Sequence, residues 1–126
     1  MIISTTKAPK AIGPYSQAVV AGDFIFVSGC CPFSPENGDV IFNSIEDQSK
    51  LALDNLKAIV ETSGATLKNV VKTTCFISDM NKFSDFNGVY ATYFEEGAFP
   101  ARACVEVARL PKDVLIEIEA VVHLPK

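Results

Sequence analysis

Residues 101–122, ARACVEVARLPKDVLIEIEAVV, carry the pattern that decides the fold. Apolar and polar side chains alternate along residues 102–108 and again along residues 114–122, as they do on strands that bury one face. Between the two runs, Leu110-Pro111-Lys112-Asp113 is typical of a turn. The pattern therefore predicts two antiparallel strands that pair with each other as a hairpin.

The alternation also predicts which side chains share a face of the sheet. The face toward the helices is predicted to carry Ala103, Val105, Val107, Val114, Ile116, Ile118, Ala120 and Val122. The outer face is predicted to carry Arg102, Cys104, Glu106, Glu117 and Glu119.

Two interpretations of this outer face are open. It is either an ordinary solvated sheet face or a polar site inside a subunit interface. Its charges stand among apolar residues, and Pro100 directs the chain into Arg102, whose planar guanidinium suits bidentate binding of a carboxylate. In the predicted hairpin, Arg102 and Glu117 lie about 13 Å apart, so only a neighbouring copy would bring them to one small substrate.

Upstream of these strands, the sequence predicts a hairpin around Gly22-Asp23 and a strand over residues 70–77. A helix is predicted to begin after Ser44, with Asp47 placed as in a capping box, and to end at Gly64. A second helix, capped by Asp79 or Asn81, is predicted to present an aromatic stripe of Phe83, Phe86, Tyr90, Tyr93 and Phe94. This order predicts an α+β fold with both helices packed on one face of a mostly antiparallel sheet.

The composition limits the classes of protein to consider. A chain of 126 residues with 48% hydrophobic side chains predicts a single domain over residues 1–126. A mean hydropathy of +0.24 is high for so short a chain and favours self-association. The net charge of −4, with no basic run, disfavours nucleic-acid binding. The sequence shows no signal peptide and no apolar stretch that would span a membrane, so a cytoplasmic protein is expected.

The four cysteines, at positions 30, 31, 75 and 104, do not have the spacing of a metal site, and His123 is the only histidine. Reduced thiols, with Cys75 as a small core residue, are therefore expected, and no bound metal.

Five segments closely resemble those of the RidA/YjgF family, in the same order and at matching spacing over the whole chain. They are Gly13-Pro14-Tyr15-Ser16-Gln17-Ala18, Val27-Ser28-Gly29, Phe99-Pro100-Ala101-Arg102, residues 105–111 (VEVARLP) and residues 116–120 (IEIEA). The resemblance implies a chorismate-mutase-like fold, a homotrimer around a central barrel, and sites in the clefts between subunits. It further implies a cofactor-free deaminase that hydrolyses 2-iminopropanoate and 2-iminobutanoate to 2-oxo acids and ammonia.

By that resemblance, Arg102 is expected to bind the substrate carboxylate, and Glu117 of an adjacent subunit is expected to orient the attacking water. The pocket is expected to be lined by Tyr15, Ser28, Gly29 and Asn87, with Cys104 contributing mainly through its backbone. Without the resemblance, Tyr15 would be a loop aromatic, Ser28-Gly29 a strand-end turn and Asn87 a solvated helix residue.

One position departs from the family pattern. The family usually has glutamine after the Ser-Gly pair, where this chain has Cys30. A tolerated small residue is favoured over a reactive thiol, because no adjacent His, Lys or Arg would lower the pKa of the Cys30 thiol.

The implied reaction needs few groups. An imine carbon is already electrophilic, so hydrolysis requires a placed water, a base and a hold on the substrate. Two other functions stay open. A non-catalytic binder of 2-oxo acids or small carboxylates would have no use for Glu117 beside its ligand. A ribonuclease or translation inhibitor would need a basic surface with stacking aromatics.

Overall fold

A computed structural model describes residues 1–125, which contain six strands and two helices. The first strand was not predicted, and the other elements follow the predicted order. The strands are β1 (Ile2–Ile3), β2 (Ala18–Ala21), β3 (Phe24–Cys30), β4 (Val70–Ile77), β5 (Ala101–Glu106) and β6 (Ile116–His123). The helices are α1 (Ile45–Thr62) and α2 (Phe83–Tyr90). The α+β fold with two helices on a mostly antiparallel sheet is therefore confirmed, since β4 and β5 form the one parallel pair among the strands of residues 1–125.

The local signals for α1 and for the first hairpin are confirmed. The Ser44 side chain accepts a hydrogen bond from the Asp47 backbone N–H at 3.1 Å, which satisfies a donor that the first helical turn leaves free. After the helix, Gly64 has a φ of 91°, a left-handed conformation that ends helices. β2 and β3 pair antiparallel across Gly22-Asp23, where Gly22 has a φ of 60°.

The second helix is shorter than predicted. Asp79 caps a 3₁₀ turn over Met80–Lys82 by accepting a hydrogen bond from the Asn81 N–H at 3.0 Å, and α2 itself ends at Tyr90. Tyr93 and Phe94 lie in the turn that follows the helix, although Phe94 still packs on Tyr90 with ring centroids 4.8 Å apart.

The predicted hairpin between the last two strands is wrong. The sheet has the order β1-β2-β3-β6-β4-β5, so β4 separates β5 from β6. β5 runs parallel to β4 at the edge of the sheet, and β6 runs antiparallel to β4 in the centre. The physical reason lies upstream of the turn: α2 connects β4 to β5, and a helical crossover joins strands that run in parallel.

This topology reverses the predicted faces of β5. Arg102 and Cys104 pair in register with Thr73 and Cys75 of β4. The two β4 residues are fully buried under the helices. Because residues paired across strands point to the same face, Arg102, Cys104 and Glu106 lie on the helix side. The predicted placement of these three residues on the outer face is wrong, and so is the placement of Ala103 and Val105 under the helices.

The predicted faces of β6 are confirmed. Ile116, Ile118, Ala120 and Val122 are buried in the core under the helices, and Glu117 and Glu119 point away from it. Arg102 and Glu117 therefore lie on opposite faces of the sheet, three positions apart along β4, where their register partners are Thr73 and Phe76.

The outer face of the sheet carries apolar side chains that the helices do not cover. Phe26 is 49% exposed and Val105 is 44% exposed, although a large apolar side chain gains about 1.5–3 kcal/mol on full burial. Other exposed apolar residues on this face are Val19, Phe24 and Val71. Several exposed apolar side chains on one face of a sheet are typical of a surface that associates with another protein surface.

Candidate functional site

A pocket of about 380 Å³ opens where β3 and β6 meet the N-terminal loop. It brings together four of the predicted site residues: Tyr15, Ser28, Gly29 and Glu117. Arg102, Asn87 and Cys104, the other predicted residues, are not among those that line it. The single chain therefore divides the predicted site into two clusters on opposite faces of the sheet.

A β-bulge places Ser28 and Gly29 at the pocket. The β3–β6 register changes between Val27 and Cys30, so two residues of β3 stand opposite one residue of β6. The Ser28 hydroxyl donates a hydrogen bond to the Ser16 carbonyl oxygen at 2.6 Å, and the Ser28 N–H donates to the Gln17 carbonyl oxygen at 3.0 Å. Ser28 thus ties the bulge to the N-terminal loop that carries Tyr15.

The side chain of Gln17 holds that loop in place from inside. Its amide accepts a hydrogen bond from the Thr5 N–H at 2.7 Å and donates to the carbonyl oxygens of Thr5 and Pro9 at 3.1 and 2.8 Å. Gln17 is buried, so these bonds replace the water that its amide would otherwise require. Tyr15 itself is half-exposed, and its hydroxyl accepts a long hydrogen bond of 3.4 Å from the Ile12 N–H.

Glu117 packs directly on Gly29. A Cβ atom added at Gly29 would overlap the Glu117 carboxylate, with the carboxyl carbon only 2.7 Å away. The absence of a side chain at position 29 is therefore what allows this carboxylate to occupy the pocket, and the conformational freedom of glycine is not required.

We expect Gly29→Ala to displace the Glu117 carboxylate and to lower any reaction that depends on it by about 10²-fold, the cost of a misplacement near 1 Å. The measurement is the rate of imine hydrolysis, the activity that the family resemblance implies, together with thermal unfolding to show that the variant is folded. Gly88→Ala in α2 is the matched control, since a Cβ there meets no atom within 4 Å. Full activity in Gly29→Ala would contradict the dependence on Glu117 placement.

The environment of Glu117 favours the protonated carboxyl group more than bulk water does. Burial raises the pKa of the Glu117 carboxyl above its ordinary value, and the charge of Glu119 in the same pocket raises it further. A hydrogen bond with the Cys31 thiol acts in the opposite direction and lowers the pKa. A half-buried carboxylate with a raised pKa is suited to accept a proton near neutral pH.

The two adjacent cysteines have different surroundings. Cys30 pairs with Ile118 on the helix side and belongs to the main core, and burial followed by the charge of Glu117 raises the pKa of its thiol to about 12. Cys31 packs with Phe33, Leu110 and Val114 in a smaller cluster. Burial, followed by the charge of Glu117, raises the pKa of the Cys31 thiol as well. The raised pKa of each thiol disfavours the thiolate, which is the nucleophilic form.

The second cluster surrounds Arg102 at the sheet edge. One Nη1–H of Arg102 donates to the Asn87 side-chain oxygen at 2.8 Å, which brings together two of the predicted binding residues. Cys104 lies two residues along the same face of β5, and burial raises the pKa of its thiol while the charge of Arg102 lowers it. The guanidinium has five donors, and no other hydrogen bond from it is found within residues 1–125.

Sequence reasoning missed several residues of the two clusters. Cys31 lines the pocket with Glu117 and with Glu119, which was predicted to share the face of Glu117, and the rings of α2 surround Arg102. Asn55 of α1 is buried and donates hydrogen bonds of 3.0 Å to the carbonyl oxygens of Cys31 and Phe33. The signal for Asn55 was present in the sequence, because an amide within an apolar helical stripe needs a hydrogen-bonding partner.

Neither helix within residues 1–125 combines the length and apolar character that a membrane-spanning segment requires. No group of three or more His, Cys, Asp or Glu side chains in that range is arranged to hold a metal ion.

Comparisons with known proteins cover nearly the whole chain. A family model described as endoribonuclease L-PSP matches residues 5–124. A RutC family protein of Pyrococcus abyssi is 52% identical over 122 residues, which are 97% of this chain and 95% of the relative. The 2-iminobutanoate/2-iminopropanoate deaminase of Escherichia coli K12 is 50% identical over 121 residues, or 94% of each chain. The crystal structure of Escherichia coli TdcF with bound serine matches with a TM-score of 0.94 at 46% identity, over 99% of both chains.

Proposed function

The chain belongs to the RidA/YjgF family, and from that premise we propose that it is a deaminase that hydrolyses small 2-imino acids to 2-oxo acids and ammonia. The observation that carries the proposal is the Glu117 carboxylate, half-buried in the pocket and packed on Gly29 with a raised pKa. A second support is the name of the Escherichia coli relative, whose two substrates are 2-iminobutanoate and 2-iminopropanoate.

The proposed reaction uses one base and one anion-binding group. Arg102 holds the substrate carboxylate, and Glu117 removes a proton from water while the water oxygen attacks the imine carbon. The C=N π electrons move to nitrogen and a carbinolamine forms. Glu117 then returns its proton to the nitrogen, the C–N bond breaks and ammonia leaves. The carbinolamine hydroxyl passes its proton to Glu117, which is again a carboxylate, as the C=O bond of the 2-oxo acid forms. Ammonia then carries this proton away as ammonium.

The charges of the two clusters suit a protonated imine. Its nitrogen is positive, and the pocket of Glu117 and Glu119 is negative, so the pocket attracts the end of the substrate that reacts. Its carboxylate is negative and is attracted by Arg102 in the other cluster. An RNA phosphodiester, by contrast, would be repelled by the two glutamates, which disfavours the ribonuclease alternative.

A complete site on this proposal requires two copies of the chain. Arg102 and Glu117 of one chain lie on opposite faces of the sheet, so one small molecule does not reach both. The exposed apolar outer face offers a surface on which copies would pack. We therefore propose a homotrimer in which Arg102 of one subunit completes the Glu117 pocket of its neighbour, as the family resemblance implies.

Sedimentation of the purified protein is expected to show a particle of three times the 13.6 kDa chain mass. Phe26→Glu places a charge on the outer face and is expected to dissociate the particle and abolish hydrolysis, with circular dichroism showing that the chain stays folded. A stable monomer with full activity would end the argument for a shared site.

The deaminase proposal is tested by generating an imine in situ with an amino-acid oxidase or a threonine dehydratase and following its decay. The protein is expected to accelerate the decay in proportion to its concentration, with 2-oxo acid and ammonia formed in equal amounts. Decay at the same rate with and without the protein would contradict the function.

A further inference from the structure

Three aromatic rings of α2 surround the guanidinium of Arg102, and we name Phe83, Phe86 and Tyr90 the aromatic seat. The Cζ atom of Arg102 lies 4.7 Å from the centroid of the Tyr90 ring, with the other two centroids at 5.4 and 5.9 Å. The three residues occupy one face of the helix because they are spaced by three and four positions. All three rings are within the range at which a cation is attracted to an aromatic face.

The aromatic seat holds a positive charge without neutralising it. Within residues 1–125, no carboxylate lies within ion-pair distance of Arg102, and the one ion pair of that range joins Arg109 to Asp113. Arg102 is half-buried, where a structural arginine would ordinarily pair with Asp or Glu. A carboxylate partner would compete with a carboxylate ligand, whereas a ring quadrupole attracts the guanidinium and leaves its donors available.

Tyr90 is the fixed member of the seat. Its ring is buried and packs on Phe86 and Phe94, with centroids 5.6 and 4.8 Å away. Its hydroxyl forms a buried hydrogen bond of 2.7 Å with the Thr73 hydroxyl. Thr73 is also the register partner of Arg102 on β4, so one β4 residue anchors the ring beside the strand position that carries the guanidinium.

We propose that Tyr90 is a positioning residue for Arg102, whose ring fixes the guanidinium plane so that its unused donors face a ligand carboxylate. The proposal rests on the proposed role of Arg102 as the carboxylate anchor. The Asn87 side-chain oxygen accepts a hydrogen bond from Nη1 of Arg102, and the ring of Tyr90 restricts rotation of the guanidinium about that single hydrogen bond. The expected consequence is that loss of the ring weakens carboxylate binding without removing Arg102.

The test compares Tyr90→Leu and Tyr90→Phe in the full-length protein, with pyruvate affinity measured by calorimetry and imine hydrolysis by KM and kcat. Tyr90→Leu removes the ring and is expected to raise the pyruvate Kd and the KM by roughly 3- to 30-fold, with kcat changed much less. Tyr90→Phe keeps the ring and is expected to bind pyruvate within about threefold of wild type, but to melt at a lower temperature because Thr73 loses its partner.

Phe94→Leu is the matched control, since it also replaces an aromatic ring by leucine, in a residue that packs on Tyr90 but does not belong to the seat. It is expected to lower stability and to leave pyruvate affinity unchanged. If Tyr90→Leu does not fold, Phe83→Leu replaces it, because Phe83 is only partly buried, and roughly a 2- to 5-fold loss of affinity is expected.

The possible outcomes test the positioning role of Tyr90 and the deaminase function separately. Unchanged pyruvate affinity in Tyr90→Leu, or in Phe83→Leu where that variant is used, overturns the positioning role even if wild type is an active deaminase. A wild type that binds pyruvate with this pattern of affinities but hydrolyses no imine overturns the deaminase function alone. A wild type that binds no carboxylate overturns both.

Discussion

Glu117→Gln is expected to lower imine hydrolysis by about 10²- to 10⁴-fold, the usual cost of removing a general base. Glutamine keeps nearly the same shape against Gly29, so the pocket stays intact while its proton acceptor is lost. Pyruvate binding is expected to persist or to tighten, because the repulsion between the ligand carboxylate and Glu117 disappears. The measurement pairs imine decay with calorimetry of pyruvate on wild type and variant at identical salt.

The pH dependence gives an independent check on Glu117. The base works when deprotonated, and its pKa is raised, so activity is expected to fall as pH decreases through a value above the ordinary range of a glutamate. The variant is expected to lack this acidic limb. Glu119→Gln is the matched control, because it removes one charge from the same pocket but leaves the base in place. Unchanged hydrolysis in Glu117→Gln would remove this residue from the mechanism.

Arg102→Lys and Arg102→Ala are both expected to lower kcat/KM by about 10- to 100-fold, as loss of charge-assisted hydrogen bonds to a carboxylate does. An ammonium is a point charge that does not reproduce a planar fork held by Asn87 and stacked on Tyr90. The measurement is imine hydrolysis by each variant, with circular dichroism to confirm folding.

Arg109→Lys is the control for these arginine variants. Arg109 makes a bidentate ion pair with Asp113 at 2.6 and 3.1 Å, but both side chains are exposed, so the pair contributes little to stability. The Arg109→Lys variant is expected to keep full activity. Near-normal turnover in Arg102→Lys would contradict the bidentate role of Arg102.

Local sequence signals predicted the elements that depend on a few neighbouring residues. Ser44 and Gly64 mark the two ends of α1, Gly22-Asp23 marks the first hairpin, and the alternation of β6 places Glu117 outside the core. Each of these signals acts through a cap, a turn or the two-residue period of a strand, so its physical cause lies within a few residues of the chain.

Sequence reasoning named candidate residues for the site but not their arrangement. Family resemblance named Arg102 and Glu117. The predicted hairpin kept these two residues apart by their distance along one face of the sheet, but the structure keeps them apart for a different reason. The two residues lie on opposite faces of the sheet, with β5 at its edge. The aromatic stripe of α2 was recognised in the sequence, but its contact with Arg102 depends on β5 lying beside β4.

The sequence by itself determined five of the six strands, the presence of both helices, their order and the faces of β6. The tertiary structure alone decided the partner of β5 and therefore the side to which Arg102 points. Alternation divides the side chains of a strand between two faces but does not say which face is buried. At a sheet edge, an arginine can lie on the helix side when its aliphatic carbons pack there and its guanidinium contacts aromatic rings. That choice follows from the α2 crossover between β4 and β5, a long-range pairing that no pattern within residues 101–122 contains.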